Sequence, residues 1–366
     1  MKIAFDAKRF FHNTSGLGNY SRDLVRILAK TYSENDFLLL AKNKNERGQE
    51  ILNLPNVAFQ KITKGRMERQ FKMGIDAQNT GADIFHGLSG ELPLRWSAKP
   101  IKKVVTIHDL IYMRYPQFYS FIDRQIHLWK FKNAAKNADV IIAISEQTKR
   151  DIIKYLKAPE DKIKVIYQCC HAAFKQQPTE AFFQEVKNKF HLPERFLLNV
   201  GTIEERKNLE NVIKALEGTN IPLVVVGKRK KTYFNKIKKL IQKHQVEVYF
   251  LDNVNMQELA AIFRLAEVFI YPSLFEGFGI PIIEALYSGT PVITSNVSCL
   301  PEAGGEHSLY VNPLDAEDIK SKILFLWNNA SERQRRAEKS LEFVQKFNEE
   351  VIAEHVMNVY KELISI

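Results

Sequence analysis

Cysteine is scarce in this chain, with Cys169, Cys170 and Cys299 the only three among 366 residues. An odd count with two neighbours gives neither a disulfide framework nor metal-ligand spacing, so free thiols are expected and the fold must rest on burial. Long apolar runs are missing too, and none approaches the roughly 20 residues of a membrane span. The opening Met1-Lys2-Ile3-Ala4-Phe5-Asp6 puts charge where a signal peptide needs its apolar stretch, which makes a cytoplasmic location the expectation. Internal repeats and low-complexity tracts are likewise absent. The glycine-rich Ser15-Gly16-Leu17-Gly18-Asn19-Tyr20 lacks the third glycine of the dinucleotide fingerprint, which argues against hydride transfer with a nicotinamide cofactor.

What is present points to two α/β domains. The length exceeds one ordinary open α/β domain and suits two of average size. With 45% hydrophobic and 26% charged residues, the chain reads as globular rather than disordered. Short apolar runs alternate with amphipathic segments, the pattern of strands crossing through helices to further parallel strands. Strands are expected near 2–6, 36–41, 83–86, 103–107, 140–144 and 163–166, then near 196–200, 222–226, 246–251, 268–271, 291–294 and 309–311. Six strands complete a doubly wound parallel sheet in each half. Between them, 167–178 has neither period and ends in Pro178, so the linker belongs there. The expected domains are 1–172 and 173–348, with 349–366 crossing back onto the first.

Charge is unevenly spread. The net +11 arises wholly in the first half, where residues 1–170 carry 29 Lys and Arg against 17 Asp and Glu, while 171–366 carry 24 against 25. Such asymmetry suggests an anionic partner for the first domain, whether a lipid surface, a phosphorylated acceptor or nucleic acid, although a merely soluble basic face has the same composition.

The densest chemistry lies in Ser273-Leu274-Phe275-Glu276-Gly277-Phe278-Gly279-Ile280-Pro281-Ile282-Ile283-Glu284. This stretch follows a strand and opens a helix, with Pro281 suited to the first turn and Gly289 to the position after the last. Open α/β sheets bind ligands beyond the carboxyl ends of their strands. Gly277 and Gly279 allow backbone N–H groups close to a ligand, while Glu276 and Glu284, which only accept hydrogen bonds, suit sugar or ribose hydroxyls. Arg206 and Lys207 also follow a strand and precede a helix, for which Asn208 is a plausible N-cap. Two cations at a positive helix end want an anion, and a diphosphate supplies one. His108 and Asp109 close another strand.

These motifs resemble glycosyltransferase family 4. Glu276 and Glu284 match the Glu-x7-Glu pattern of retaining glycosyltransferases, in a Glu-Gly-Phe-Gly-Ile-Pro context. The stretches 200–209, 259–272 and 289–293 agree in order, so the resemblance covers the second half and, more weakly, the first. It implies the GT-B fold, two Rossmann-like doubly wound domains facing a central cleft, with acceptor on the N-terminal domain and nucleoside diphosphate sugar on the C-terminal one. Carried onto this sequence, the catalytic set is Arg206, Lys207, Glu276 and His108. The donor contacts are Gly16, Gly18, Thr202, Gly227, Val254, Gly277, Phe278, Gly279, Ile280 and Glu284. Arg206 and Lys207 would stabilise the leaving diphosphate, Glu276 would hold the transferred sugar and Glu284 the ribose. His108 would contact the donor sugar as an electrostatic partner rather than a base. The Ile-His-Asp-Leu and Gly-Thr-x-Glu-x-Arg-Lys-Asn segments look most like mannosyltransferases using GDP-mannose. Departures are Cys169-Cys170 in the hinge and the absence of a tryptophan before the last helix.

No Asp-x-Asp follows a strand to hold a divalent ion on a diphosphate, so neither metal nor cofactor is expected. A glycosidase would need water between its carboxylates, beside which a cation pair is out of place. A sugar-nucleotide epimerase or hydrolase of similar fold, or a non-catalytic anion-binding module, would use the same residues. The expected acceptor is a glycan or lipid diphosphate, with no nucleic acid partner. Two stretches, 61–72 and 112–121, mix cations or aromatics in a way that suits peripheral contact with the inner face of an anionic membrane. The aromatics of the second would equally line a pocket or fill the core.

Overall fold

Val224 and Val225 are wholly buried on both faces of their strand, and that pattern recurs because helices cover both sides of a parallel sheet. The structure, a computed structural model, describes residues 1–14, 16–65 and 67–365. Ser15 of the glycine-rich segment and Arg66 of the basic stretch lie outside the described residues. By internal contacts the chain divides into two compact units, Met1–Gln168 with Glu349–Ile366, and Cys169–Asn348. The division thus falls four residues ahead of the expected 172/173 boundary.

Seven parallel strands form the sheet of unit 1: β1 (Lys2–Asp6), β2 (Asp36–Ala41), β3 (Val57–Lys61), β4 (Ile84–Gly87), β5 (Lys102–Ile107), β6 (Val140–Ala143) and β7 (Ile163–Val165), in the order β3-β2-β1-β4-β5-β6-β7. The expected six strands omitted β3, an edge strand whose sequence Val-Ala-Phe-Gln-Lys buries only its first residue fully. Unit 2 has β8 (Leu197–Val200), β9 (Leu223–Val226), β10 (Val248–Leu251), β11 (Val268–Tyr271), β12 (Val292–Ser295) and β13 (Leu309–Val311), in the order β10-β9-β8-β11-β12-β13. Every pair in both sheets is parallel. In each sheet the order reverses once, between β1 and β4 and between β8 and β11, and ligands of such sheets bind beyond the strand ends at that switch point. Both sheets are therefore doubly wound Rossmann-like layers.

The last helix, Glu349–Ile364, belongs to unit 1. Arg26 holds Glu349 with two bonds of 2.9 Å, and Ile352, Val356, Met357 and Leu363 are buried. The three cysteines are buried and none is in a disulfide. Among the described residues no helix is long and apolar enough to cross a membrane.

Candidate active site

In unit 2 the two strands flanking the switch point bring the predicted residues together. Beyond β8 the chain passes Gly201 and Thr202 into a 3-10 turn, Glu205–Lys207. Beyond β11 it runs through Ser273 to Glu276 and Gly279, which starts the helix Ile280–Tyr287. The two segments are tied by the Leu274 amide donating to the Arg206 carbonyl at 2.9 Å. One oxygen of Glu276 then collects four donors: Lys207 Nζ at 2.6 Å, Arg206 Nη1 at 2.7 Å, the Tyr271 hydroxyl at 3.0 Å and the Ser273 hydroxyl. Arg206 also donates to the Phe275 carbonyl and to Glu204, both within 2.8 Å. Lys207 lies over the Tyr271 ring.

The electrostatics follow from burial and pairing. Burial alone would raise the Glu276 carboxyl, but Lys207 and Arg206 outweigh it and hold it at about 2. Burial lowers Lys207 more than Glu276 raises it. For Arg206 burial also acts downward, yet Glu276 reverses it and the guanidinium stays charged. The anion expected to join the two cations is thus already present within the protein. Tyr271, Ser273 and Glu204 are the members to which sequence reasoning gave no role. Position at the carboxyl end of β11, for Tyr271, and just beyond it, for Ser273, was the available signal for the first two.

Asn208 departs from the expected cap. It occupies the N-cap place of Leu209–Ala215 in the left-handed region, φ 59°, and makes no side-chain cap bond. Its amide instead donates to the carbonyls of Pro272 at 3.0 Å and Pro313 at 2.6 Å, fastening the turn to neighbouring strand ends. Gly227 follows β9 with φ +153°, and a Cβ there would sit 1.9 Å from the Gly201 carbonyl oxygen, so only glycine permits this approach. Thr202 follows β8, Val254 follows β10, and Gly277 and Ile280 follow β11, all four half-buried. Phe278 is buried with its ring against Phe347 at 5.4 Å, which leaves backbone rather than ring to meet a ligand. Glu284 is buried within its helix, 8% exposed.

Unit 1 carries a second constellation at its own strand ends. His108 follows β5, half-buried, and both its nitrogens are engaged: Gln168 donates to Nδ1 at 3.0 Å, and Nε2 lies 3.0 Å from the Leu88 carbonyl. Burial lowers its pKa to about 4, against the opposing pull of the Leu88 bond. A ring so placed favours the neutral imidazole near pH 7. Gly16 and Gly18 also differ from expectation, since both lie in the first turns of the helix Gly16–Thr31 rather than in a loop before it. A Cβ on Gly18 would meet the Asn13 carbonyl oxygen at 2.0 Å, so helix packing already requires that glycine.

Next to His108 lies a cavity of about 180 Å³ whose lining includes Arg9, Glu91, Asp109, Tyr112, His127 and Phe131. The Tyr112 hydroxyl and Arg9 Nε are buried there without a hydrogen-bond partner among the described residues. Burial, then Asp109, raises the Tyr112 phenol, so it stays protonated. Unpartnered buried polar atoms are costly unless a ligand or water satisfies them. Among the described residues no group of three or more His, Cys, Asp or Glu side chains gathers to hold a metal ion.

Two doubly wound domains, one with a cation pair at its switch point, define the GT-B glycosyltransferase class. Residues 14–172 match the profile of Glycosyltransferase Family 4 and residues 181–343 that of Glycosyl transferases group 1, so the chain belongs to the family 4 glycosyltransferases. It is 25% identical to O-antigen chain mannosyltransferase B of Escherichia coli, over 99% of this chain and 100% of that one. With O-antigen chain mannosyltransferase RfbU of Salmonella typhimurium it shares 30% identity over 60% of each chain. Serotype-specific mannosyltransferase WbdA of Escherichia coli is 29% identical over 64% of this chain, which spans about three tenths of that longer protein. Among solved structures, sucrose-phosphate synthase from Thermosynechococcus elongatus superposes with a TM-score of 0.76 at 23% identity, covering 100% of this chain and 99% of that one. Anabaena HepE in complex with UDP-glucose gives 0.76 at 16% identity, covering 99% and 100%. At these identities the likeness establishes fold alone.

Proposed function

We propose that this glycosyltransferase moves a mannosyl unit from GDP-mannose to an acceptor hydroxyl in polysaccharide assembly, with retention at the anomeric carbon and without a metal ion. The observation that carries the reading is the half-buried Arg206–Lys207 pair closed on Glu276 at the switch point of unit 2. A departing nucleoside diphosphate gains negative charge, and two preorganised cations beside backbone N–H groups stabilise it, each such donor contributing on the order of a hundredfold to a thousandfold in rate. Glu276 keeps the cations charged and in place before the donor arrives. Once the diphosphate takes over as counter-ion, the carboxylate is released to accept from sugar hydroxyls. Glu284 is assigned to the ribose.

The choice of mannose rests on the mannosyltransferases among the relatives above, and the guanine base on the resemblance of the 107–110 and 201–208 segments. The unit 1 cavity suits one saccharide ring of the acceptor, since about 180 Å³ falls below the roughly 300 Å³ at which drug-sized pockets begin. Its aromatic rings offer apolar faces, while Arg9, Glu91 and Asp109 add charged side chains to the lining.

Thermal shift against GDP, UDP, ADP and their hexose conjugates tests the donor, because a specific ligand stabilises by mass action. Stabilisation by GDP and GDP-mannose above the others is expected, and a preference for UDP-sugars would replace the donor. Free mannose or an epimer formed without acceptor would favour a hydrolase or epimerase. The anomeric configuration of the product, read by proton NMR, tests retention.

A further inference from the structure

The helix Phe121–Asn137 of unit 1 is apolar on two sides. Its inner side brings Leu128, Phe131, Ala134 and Ala135 to the unit's core. Ile122, Ile126 and Trp129 recur at helical spacing on the opposite side and are 70%, 48% and 56% exposed, with Phe121 at 69% beside them. A helix that needs only one buried side gains nothing within the fold from such a stripe, and exposed apolar patches mark interaction surfaces.

Charge narrows the partner. The helix carries Arg124, Lys130, Lys132 and Lys136 against Asp123 alone. Lys132 and Lys136 follow Trp129 at three and seven residues, on the same outward side, and both are exposed. Lys130 pairs with Glu91, which also holds Arg69 of the helix Glu68–Phe71. Met67, two residues before Arg69, is exposed. Unit 1 carries 30 Lys and Arg against 21 Asp and Glu, and unit 2 carries 23 against 21. The expected stretch 112–121 is only partly involved, since Tyr112 is buried against the cavity.

We propose that the outward face of this helix docks unit 1 on an anionic lipid bilayer. Ile122, Ile126 and Trp129 enter the boundary between headgroups and acyl chains, and Lys132 and Lys136 meet lipid phosphates while their stems cover apolar surface. A second copy fits poorly, because a two-fold contact would set this basic face against itself. Three side chains also fall well short of the roughly 800 Å² that each partner buries in a stable protein interface. The inference rests on exposure and charge and is independent of the donor assigned above.

Co-sedimentation of the full chain with vesicles of phosphatidylcholine and phosphatidylglycerol, and of phosphatidylcholine alone, tests it. Binding only to the anionic vesicles, released by high salt, is expected. Each lysine near an anionic surface is worth about 1 kcal/mol, or about fivefold, so Lys132→Ala with Lys136→Ala should weaken partitioning by about twenty-five-fold. Ile122→Gln, Ile126→Gln and Trp129→Gln together should abolish it. The thermal shift by GDP, read on the same variants, should match the parent and reports an intact fold. Absence of that shift in the parent would count against the donor reading and leave the vesicle result standing. Parent protein that stays in the supernatant with anionic vesicles, a triple variant that binds like the parent, or a parent dimer that the triple variant dissociates would each overturn the proposal.

Discussion

Replacing Glu276 by Gln keeps the shape of the side chain and removes the counter-ion of two half-buried cations. Its size follows from two routes. A carboxyl held at about 2, against about 4.3 for an ordinary glutamate, is worth about 3 kcal/mol at 1.36 kcal/mol per pH unit. Removing one partner of a buried ion pair costs about 3–5 kcal/mol, and side chains 11–19% exposed belong near the lower end. The sequence supplies a clean probe, because Trp327 is the one tryptophan of unit 2, with Trp96 and Trp129 both in unit 1. In a Trp96→Phe, Trp129→Phe background, urea unfolding at pH 7 followed at Trp327 should show unit 2 losing about 3 kcal/mol. With a slope of about 2 kcal/mol/M the midpoint falls by about 1.5 M. A depressed carboxyl stabilises the fold above its unfolded value and loses that contribution as pH falls, so the gap between parent and variant should close from about pH 4.3 towards pH 2. Saturating GDP should raise the midpoint more in the variant, since a diphosphate restores the missing negative charge. Equal midpoints at pH 7 would refute the counter-ion role outright.

Arg206→Ala and Lys207→Ala should each lower turnover by at least about a hundredfold with the fold retained, measured as kcat on the preferred donor. Glu284→Ala should chiefly weaken donor binding, by about 1.5–3 kcal/mol for a lost charged hydrogen bond, read by calorimetry. Gly227→Ala forces a Cβ against the Gly201 carbonyl at a strained φ, so a loss of about 1–3 kcal/mol in unfolding free energy is expected. Burial lowers His108 to about 4 and His86 to about 3, so both stay neutral in the fold while the unfolded chain takes up protons below about pH 6.5. Stability should therefore fall on acidification from pH 7 towards pH 4, by up to about 2.7 kcal/mol per pH unit for two protons, and an imidazole of His108 titrating near 6.5 by NMR would contradict this.

Strands with uniform apolar sequence, such as Leu223–Val226, are legible because burial on both faces leaves no polar position. β3 was not, since an edge strand reading Val-Ala-Phe-Gln-Lys satisfies no simple period. Within the site, the turn after β8 and the loop after β11 were each readable from their glycines, cations and carboxylates. Their union was not, because Lys207 and Glu276 stand 69 residues apart, and only the pairing of β8 with β11 brings them together. The packing reason for Gly18 was hidden in a related way. A glycine spared for a ligand and one spared for the Asn13 carbonyl look alike until the neighbouring backbone is in place.

The same logic explains the last helix and its tyrosine. His86 lies on β4 in the core of unit 1, with Nε2 2.8 Å from the Thr106 hydroxyl and Nδ1 2.6 Å from the Tyr360 hydroxyl. The Tyr20 hydroxyl reaches the same Thr106 at 3.1 Å. These four side chains form one buried polar chain with its ends in the helices Gly16–Thr31 and Glu349–Ile364. Burial keeps the imidazole neutral, so one nitrogen donates and the other accepts, and each has a hydroxyl to meet it. An apolar residue at 360 would strand a ring nitrogen in a dry core at about 1–3 kcal/mol, more than the packing of one extra ring atom returns. Thr106 stands two residues before His108 on β5, so the chain that anchors the last helix also fixes the strand from which the unit 1 cavity is built.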